Sequence, residues 1–175
     1  QALAEHASDD TQRKRLSEAD LLTEYTAETK TYADALLEFS SAKPPLAELI
    51  DLIPRIKSRL YSIASAASAS PGRVKLLVVV EDWTTPSGTY RVGLCSDYLR
   101  RLQPGTMVTA SVKPSLMKLP ADPTAPIVMA GTGTGMAPFR AFLEEKQYQR
   151  QNGQKTGEAL LFFGARYSAK EFLYR

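Results

Sequence analysis

The sequence predicts a mixed α+β chain of several units: a helical segment, a small antiparallel β-barrel or sandwich, and the start of a parallel α/β sheet. Three observations carry this prediction. Apolar residues recur at helical intervals in the first third, β-branched runs separated by turns follow, and the last third alternates strand, glycine-rich turn, helix and strand. The predicted boundaries are residues 1–54, 55–122 and 123–175.

Residues 1–53 are predicted to be helical. Ser17 and Asp20 have the spacing of a capping box. The next apolar and aromatic positions form one stripe at helical spacing: Leu21, Leu22, Tyr25, Thr29, Tyr32, Leu36 and Phe39. Pro44 and Pro45 end this pattern because a proline cannot continue the hydrogen-bond ladder, and a short helix is expected over residues 46–53. The stripe is interpreted as packing surface rather than as a ligand site.

The middle of the chain has the pattern of short strands. Strands are predicted over residues 60–64, 74–80, 89–94 and 107–113, and a turn at residues 85–88 makes 74–80 and 89–94 hairpin partners. A short helix is expected over residues 97–102. Several short strands with turn signals at this spacing favour a small antiparallel barrel.

The last third predicts one βαβ unit. Residues 126–130 form an apolar strand, residues 138–151 a helix, and residues 159–164 a second apolar strand. Such a unit belongs to a parallel sheet covered by helices.

Composition excludes several classes of function. The 175 residues carry a net charge of +3, one His and one Cys. A Cys/His zinc site cannot be assembled from His6 and Cys95, and a Ser-His-Asp triad would have to use His6. No disulfide can form within the chain, which favours a reducing, cytoplasmic location. The charge is too small to argue for nucleic acid, and no apolar run is long enough for a membrane span.

The two ends of the sequence indicate a piece of a longer protein. The chain begins at Gln1 without Met, and it stops at Arg175 within an apolar-polar segment that has no terminating residue. Further sheet strands are therefore expected after Arg175.

A glycine-rich turn between the predicted strand and helix is the first candidate site. Gly133, Thr134 and Gly135 lie where backbone N–H groups can approach a phosphate at the positive end of a helix dipole. The spacing lacks the third glycine of the usual dinucleotide fingerprint and the lysine of a nucleoside-triphosphate loop. A merely tight connection is the alternative.

Arg59 and Tyr61 form the second candidate site. They share strand parity, so a guanidinium that grips a diphosphate and a ring that covers a flat heterocycle would project from one face. The alternative is an exposed Arg and a half-buried Tyr in a barrel strand.

Residues 93–96 form the third candidate site. Ser96 is expected to cap the helix that follows, and the N–H groups there would hold a second phosphate. Cys95 is interpreted as a small hydrophobic residue rather than a nucleophile, because no basic partner is adjacent in sequence.

In this order the segments resemble the ferredoxin–NADP reductase-like half of the NADPH-dependent diflavin reductases. The family includes NADPH–haemoprotein reductases, sulfite reductase flavoproteins and pyruvate:NADP oxidoreductases. Arg59, Tyr61 and Ser62 are similar to its Arg-x-Tyr-Ser FAD signature, residues 93–96 to its second FAD segment, and residues 133–140 to its NADP-binding turn. Residues 161–166 and 172–174 resemble the strand and helix start that come next.

The helical third is similar to the connecting domain that the diflavin branch inserts into its FAD barrel, and single-flavin ferredoxin reductases lack this insert. Residues 111–120 look closer to the eukaryotic sulfite reductase flavoproteins and the pyruvate:NADP oxidoreductases. The resemblance therefore implies a helical connecting segment, an FAD-binding barrel and the start of an NADP-binding domain.

The resemblance also implies a site. Ser62 would be the catalytic residue, hydrogen-bonding near flavin N5, where hydride arrives. No metal is implied. The implied cofactor-binding residues are Arg59, Leu60, Tyr61, Ser62, Leu77, Val78, Val79, Gly93, Leu94, Cys95, Ser96, Gly133, Thr134, Gly135 and Arg166.

The implied activity is hydride transfer from NADPH to FAD, followed by electron transfer to FMN on a separate flavodoxin-like domain and to an external acceptor. Residues 1–175 alone are expected to be inactive with an acceptor. Two hypotheses stay open beside this one: a single-flavin ferredoxin–NADP reductase-type enzyme, and a truncated, non-catalytic module that binds a flavin or a partner protein.

Overall fold

The computed structural model describes residues 2–174. The chain divides into two compact units, Gln1–Ser58 with Glu81–Asp97 and Arg59–Val80 with Tyr98–Arg175. The elements in chain order are α1 (Ala2–Glu5), α2 (Asp10–Leu16), α3 (Leu21–Ala27), α4 (Tyr32–Glu38), α5 (Leu46–Leu52), β1 (Asp82–Thr84), β2 (Tyr90–Val92), α6 (Leu94–Arg101), β3 (Ile127–Thr132), a 3₁₀ turn (Gly133–Gly135), α7 (Met136–Gln151), β4 (Ala159–Gly164) and α8 (Ser168–Glu171).

The helical part of the first unit consists of short helices, and the predicted continuous stripe is interrupted. Thr29 has a φ of 47°, a left-handed conformation that ends α3. The next helix, α4, begins with a capping box in which Thr31 and Asp34 satisfy each other's backbone N–H groups. The capping box predicted at Ser17 is wrong: Ser17 follows α2, and its hydroxyl donates to the carbonyl of Arg13 at 3.0 Å.

The core of the first unit lies where α1 and α2 pack against the end of α4. Its buried members are Ala4, Ala7, Leu16, Phe39 and Ala42. Tyr25 stacks on Phe39 with ring centroids 6.4 Å apart. Leu22, by contrast, is 76% exposed, so the apolar stripe supplies packing surface at only some of its positions.

The hairpin of the first unit pairs β1 with β2. The two strands are antiparallel, with Trp83 opposite Arg91. The turn lies at the predicted place, closed by the Thr85 N–H donating to the Thr89 carbonyl at 2.9 Å. The predicted partner of β2 was wrong, because the short turn brings the residues directly before it, and not residues 74–80, into register with β2.

This hairpin is fastened to the helical part of the same unit through polar contacts. The Ser87 N–H donates to the Glu28 carboxylate at 3.0 Å, and the Trp83 indole N–H donates to Thr29 Oγ1 at 3.2 Å. Arg91 also forms an ion pair with Asp34, with 3.1 Å between Nη2 and Oδ2. The α3–α4 connection therefore positions the hairpin.

The remaining predicted strands do not form ladders in the described residues. Residues 60–64 and 74–80 share one isolated antiparallel bridge, Ile63 to Leu76. Residues 107–113 belong to no strand, and Met107 is 91% exposed. A strand is stabilised by ladder hydrogen bonds and by packing of one face, and these segments have little of either. The antiparallel barrel stays a prediction.

The predicted βαβ unit is confirmed. β3 and β4 pair in parallel, in register from Ile127 opposite Ala159 to Thr132 opposite Gly164, and α7 connects them. Their observed bounds lie within two residues of the predicted ones. The apolar runs on both strands explain why this pair forms.

Lys146 fixes the beginnings of both parallel strands. It is only 5% exposed, and its ammonium donates to the carbonyls of Pro123, Ala125 and Gly157 at 3.2, 3.3 and 3.1 Å. Three hydrogen bonds satisfy the three donors of a lysine, so the buried charge is compensated. Lys146 is therefore a structural residue of the second unit.

Candidate functional site

The glycine-rich turn connects the end of β3 to the beginning of α7. Gly133 has a φ of 50°, a conformation that favours glycine, and an added Cβ at Gly133 or Gly135 would meet nothing within 4 Å. Gly135 precedes α7 without a side-chain cap. The Met136 N–H, the first of this 16-residue helix, donates to the carbonyls of Gly133 and Thr134, so the exposed glycine turn itself is the part that lies open at the positive end of the helix dipole, where a phosphate group fits.

A different glycine in this region has a packing role. A Cβ added to Gly131, on β3, would lie 2.7 Å from the ring of Phe139. The absence of a side chain lets α7 approach the strand closely. Met136 and Ala137, which begin α7, are buried.

The FAD-signature residues lie in the same unit as the glycine turn. Tyr61 is half-buried, while Arg59, Leu60 and Ser62 are exposed. Residues 59–62 belong to no strand, and the chain then reaches an isolated antiparallel bridge between Ile63 and Leu76. That bridge brings the signature beside a second group of predicted FAD-binding residues, Leu77, Val78 and Val79.

The segment that follows the signature is held against α7 by charged groups. The Ala66 N–H donates to Glu144 Oε2 at 2.7 Å, and Arg140 donates to the Ala64 carbonyl. Glu144 also pairs with Lys75 and with Arg140, each at 3.3 Å. We call Arg140, Glu144, Lys75 and the backbone of residues 64–66 the Glu144 cluster.

The electrostatics of the Glu144 cluster favour an ionised carboxylate. The hydrogen bond from the Ala66 N–H, assisted by Lys75 and Arg140, lowers the pKa of Glu144. Ala64 is fully buried at 0% exposure, and Ser65 and Ala66 are buried with it. The cluster therefore joins a packed backbone segment to α7.

The sequence placed Arg140 at the end of the predicted NADP-binding segment, residues 133–140, without a role of its own, and it gave Glu144 no role. Their i,i+4 spacing on α7 is a signal for a helix-surface ion pair. It carries no information on the bond to Ala66, which lies 78 residues away along the chain.

Residues 93–96 lie in the other unit. α6 begins at Leu94, three residues before the predicted start, so the expectation that Ser96 caps it is wrong. Ser96 is buried within the first turn, where its hydroxyl accepts from the Glu81 N–H and donates to the Gly93 carbonyl, both at 3.2 Å. Leu94 is 61% exposed and Cys95 is half-buried.

Arg166 follows β4 and contacts the carboxylate of Glu171. Its backbone N–H donates to Glu171 at 2.9 Å, and its guanidinium lies 3.3 Å from the same carboxylate. The Arg166 side chain is 85% exposed, which leaves it accessible to an anionic ligand.

Over residues 2–174, no three His, Cys, Asp or Glu side chains come together in a way that would hold a metal ion. No helix within the same range is both long enough and apolar enough to cross a membrane.

Comparison with known proteins agrees with this geometry. The family model of the FAD binding domain matches residues 1–98, and that of the oxidoreductase NAD-binding domain matches residues 129–175. The chain is 41% identical to the sulfite reductase [NADPH] flavoprotein component of Saccharomyces cerevisiae, over 99% of this chain and 18% of that protein.

The chain also matches two relatives that are not sulfite reductase components. The chain is 42% identical to the mitochondrial pyruvate dehydrogenase [NADP(+)] of Euglena gracilis, over 99% of this chain and 10% of that protein. It is 32% identical to the NADPH–cytochrome P450 reductase of Mus musculus, over 99% of this chain and 28% of that protein. The chain thus spans less than a third of the length of each of these relatives.

These matches define a flavin- and nucleotide-binding reductase region. The chain belongs to the FAD-binding domain family and, within it, to the diflavin reductases. The resemblance drawn from the signature, the second FAD segment and the glycine turn is confirmed at this level. Mixed helix and strand content in an FAD-binding and an NAD-binding domain is confirmed with it.

Proposed function

We propose that this chain is the FAD- and NADP-binding region of an NADPH-dependent diflavin oxidoreductase. In the proposed reaction, hydride passes from NADPH to FAD, and electrons then pass to FMN on a flavodoxin-like domain and to an external acceptor. The observation that carries the proposal is the open glycine turn at the start of α7, in the same unit as the FAD signature.

The proposed organisation keeps three parts. Residues 1–54 are the end of the connecting domain, residues 55–122 belong to an antiparallel FAD-binding barrel, and residues 123–175 begin a parallel-sheet NADP-binding domain. A cytoplasmic location stays a prediction.

The proposed FAD-binding residues divide by the part of the cofactor they meet. Arg59 would hold the diphosphate, because a guanidinium makes paired hydrogen bonds to phosphate oxygens, and Tyr61 would pack on the flavin ring. Ser62 would hydrogen-bond near N5. The remaining contacts are assigned to Leu60, to the backbone of Leu77, Val78 and Val79, and to the segment Gly93, Leu94, Cys95 and Ser96.

The proposed NADP-binding residues are Gly133, Thr134, Gly135 and Arg166. The glycine turn presents backbone N–H groups to the diphosphate, and the exposed guanidinium of Arg166 supplies a positive charge. The bound flavin supplies the redox chemistry, while the protein supplies position and electrostatics.

The experiment uses the complete gene product, purified with its cofactors. We expect bound flavin whose absorbance bleaches on adding NADPH without oxygen, and equal amounts of FMN and FAD released on denaturation. FAD alone would indicate a single-flavin reductase, and a colourless protein would indicate a non-catalytic module.

Variants of the signature test the site. Arg59→Ala and Tyr61→Ala should lower the FAD content of the purified protein, because each removes a proposed contact with the cofactor. Arg73→Ala, an exposed arginine beyond the signature, is the matched control for loss of charge. Unchanged FAD content in both signature variants would contradict the assignment.

A further inference from the structure

We infer that Glu144 and Arg140 are positioning residues that hold the flavin-signature segment at a fixed place relative to the NADP-binding turn. This inference rests on the proposed function. It adds to that function two side chains on α7 that would contact neither cofactor.

The hydrogen bonds of the Glu144 cluster connect the residues that follow each of the two binding segments. Ala64 and Ala66 come directly after the signature that ends at Ser62, and Arg140 and Glu144 lie in the first turns of the helix that follows Gly135. Arg140 donates to the Ala64 carbonyl, and Glu144 accepts from the Ala66 N–H at 2.7 Å. One backbone segment is thus held at two points by one helix face.

Other contacts make this arrangement specific. Lys75 approaches Glu144 through its ammonium at 3.3 Å, and its backbone N–H donates to Ser65 Oγ at 3.0 Å. The Ala64 N–H donates to the Lys75 carbonyl at 2.8 Å. The segment before Leu77 is therefore fixed to the same carboxylate as the segment after Ser62.

The contacts that Glu144 makes involve charged groups and are therefore strong. A carboxylate that accepts from a backbone N–H and from the Lys75 ammonium makes charge-assisted hydrogen bonds, which are about twice as strong as neutral ones, and the Arg140 guanidinium adds an ion pair. The side chains of Arg140 and Glu144 are only 24% and 18% exposed, so water screens them less than it screens surface ion pairs.

Positioning of this kind matters for hydride transfer. The step breaks the C4–H bond of the reduced nicotinamide and forms an N–H bond at flavin N5, so that NADPH is oxidised to NADP⁺ as the flavin gains two electrons. Such a transfer requires reacting atoms about 3–3.5 Å apart, and a small displacement of either partner slows it strongly. The Glu144 cluster fixes the protein segments that would carry the two partners.

The test measures flavin reduction by NADPH in the complete gene product, by stopped-flow absorbance that follows only bound flavin. Glu144→Ala should lower the limiting rate about tenfold and change the apparent Kd for NADPH by less than about twofold. Glu144→Gln keeps an acceptor for the Ala66 N–H and should lose only about threefold. Glu158→Gln, an exposed glutamate of the same unit, is the control and should match the wild type.

The outcomes separate this inference from the proposed function. A wild-type flavin that NADPH does not bleach contradicts both. A wild type that bleaches, with the same limiting rate in Glu144→Ala and in Glu158→Gln, contradicts only the positioning role. If Glu144→Ala does not fold, Lys75→Met decides, because it removes one ion pair and leaves the Ala66 bond: a limiting rate equal to wild type overturns the inference, and a roughly threefold loss supports it.

Discussion

Two helices of this chain begin directly after a glycine, and the space at the two glycines differs. At Gly135, before α7, an added Cβ would meet no atom within 4 Å. At Gly93, before α6, a Cβ would lie 2.7 Å from Ser96 Oγ and 3.2 Å from Glu81 Cβ. The start of α7 is open to solvent, whereas the start of α6 is filled by the protein's own groups.

The hydrogen bonds at the starts of α6 and α7 differ in the same way. Gly93 donates its N–H to the Glu81 carbonyl at 2.8 Å, and the Ser96 hydroxyl bonds to both of these residues. α7 has no side-chain cap at Gly135. A helix start beside an open glycine turn can receive a phosphate, whereas a glycine enclosed by protein atoms serves close packing. Substitutions at the start of α6 should therefore lower stability, whereas substitutions at the start of α7 should weaken phosphate binding.

Of the substitutions at the two helix starts, Gly93→Ala is expected to have the largest effect on stability. Gly93→Ala forces Ser96 Oγ away from its two partners, and the loss of two hydrogen bonds costs about 2 kcal/mol. In a unit of about 75 residues that lowers the melting temperature by roughly 8–16 °C, measured by thermal denaturation of the complete gene product.

A double variant checks the cause of that loss. Ser96→Ala gives up the same two hydrogen bonds without the clash, so Gly93→Ala with Ser96→Ala should melt no lower than Gly93→Ala alone. A double variant that melts at the sum of the two single losses would show that Ser96 is not the obstacle.

Gly133→Ala should have a smaller effect on stability. A Cβ has free space at Gly133, but the φ of 50° is unfavourable for alanine by about 1 kcal/mol. Thermal denaturation should show a lowering of roughly 4–8 °C. A lowering as large as that of Gly93→Ala would contradict the difference between the two helix starts.

The sequence predicted regular elements where local pattern and pairing agree. The apolar runs that became β3 and β4 need only each other and α7, and all three formed close to the predicted bounds. The strand expected over residues 107–113 has the right composition, but pairing depends on partners far along the chain, which periodicity does not specify.

Single residues show the same limit in the candidate site. The glycine turn was found because its residue types are themselves the signal. The Ser17 capping box failed because Ser17 ends α2 and the next helix begins only after Asp20, whereas Thr31 and Asp34 have the same spacing where a helix does begin. The contact of Glu144 with Ala66 could not be predicted, because no local pattern relates a helix surface to a loop 78 residues away.

Gly135→Ala should separate stability from binding. Gly135 has a φ of −60°, which alanine adopts readily, so the melting temperature should stay the same or rise slightly. If the NADP diphosphate lies against this turn, the methyl group should weaken NADPH binding about tenfold, measured as the apparent Kd in flavin reduction. Gly153→Ala, at a glycine after α7 far along the helix from this turn, should not change that Kd. Equal affinity in wild type and Gly135→Ala would contradict the phosphate site.

The smallest effect is expected from acid at the Glu144 cluster, which follows the open turn on α7. The Ala66 N–H holds the pKa of Glu144 below its ordinary value, so the carboxylate stabilises the fold above about pH 4.3, the value in unfolded chains. That contribution is lost as the pH falls through the lower pKa of the folded state. Glu144→Gln cannot titrate, so its melting temperature should lie a little below wild type at pH 7 and approach it at pH 3. A difference that stays constant over this range would show that Glu144 acts through its shape and not through its charge.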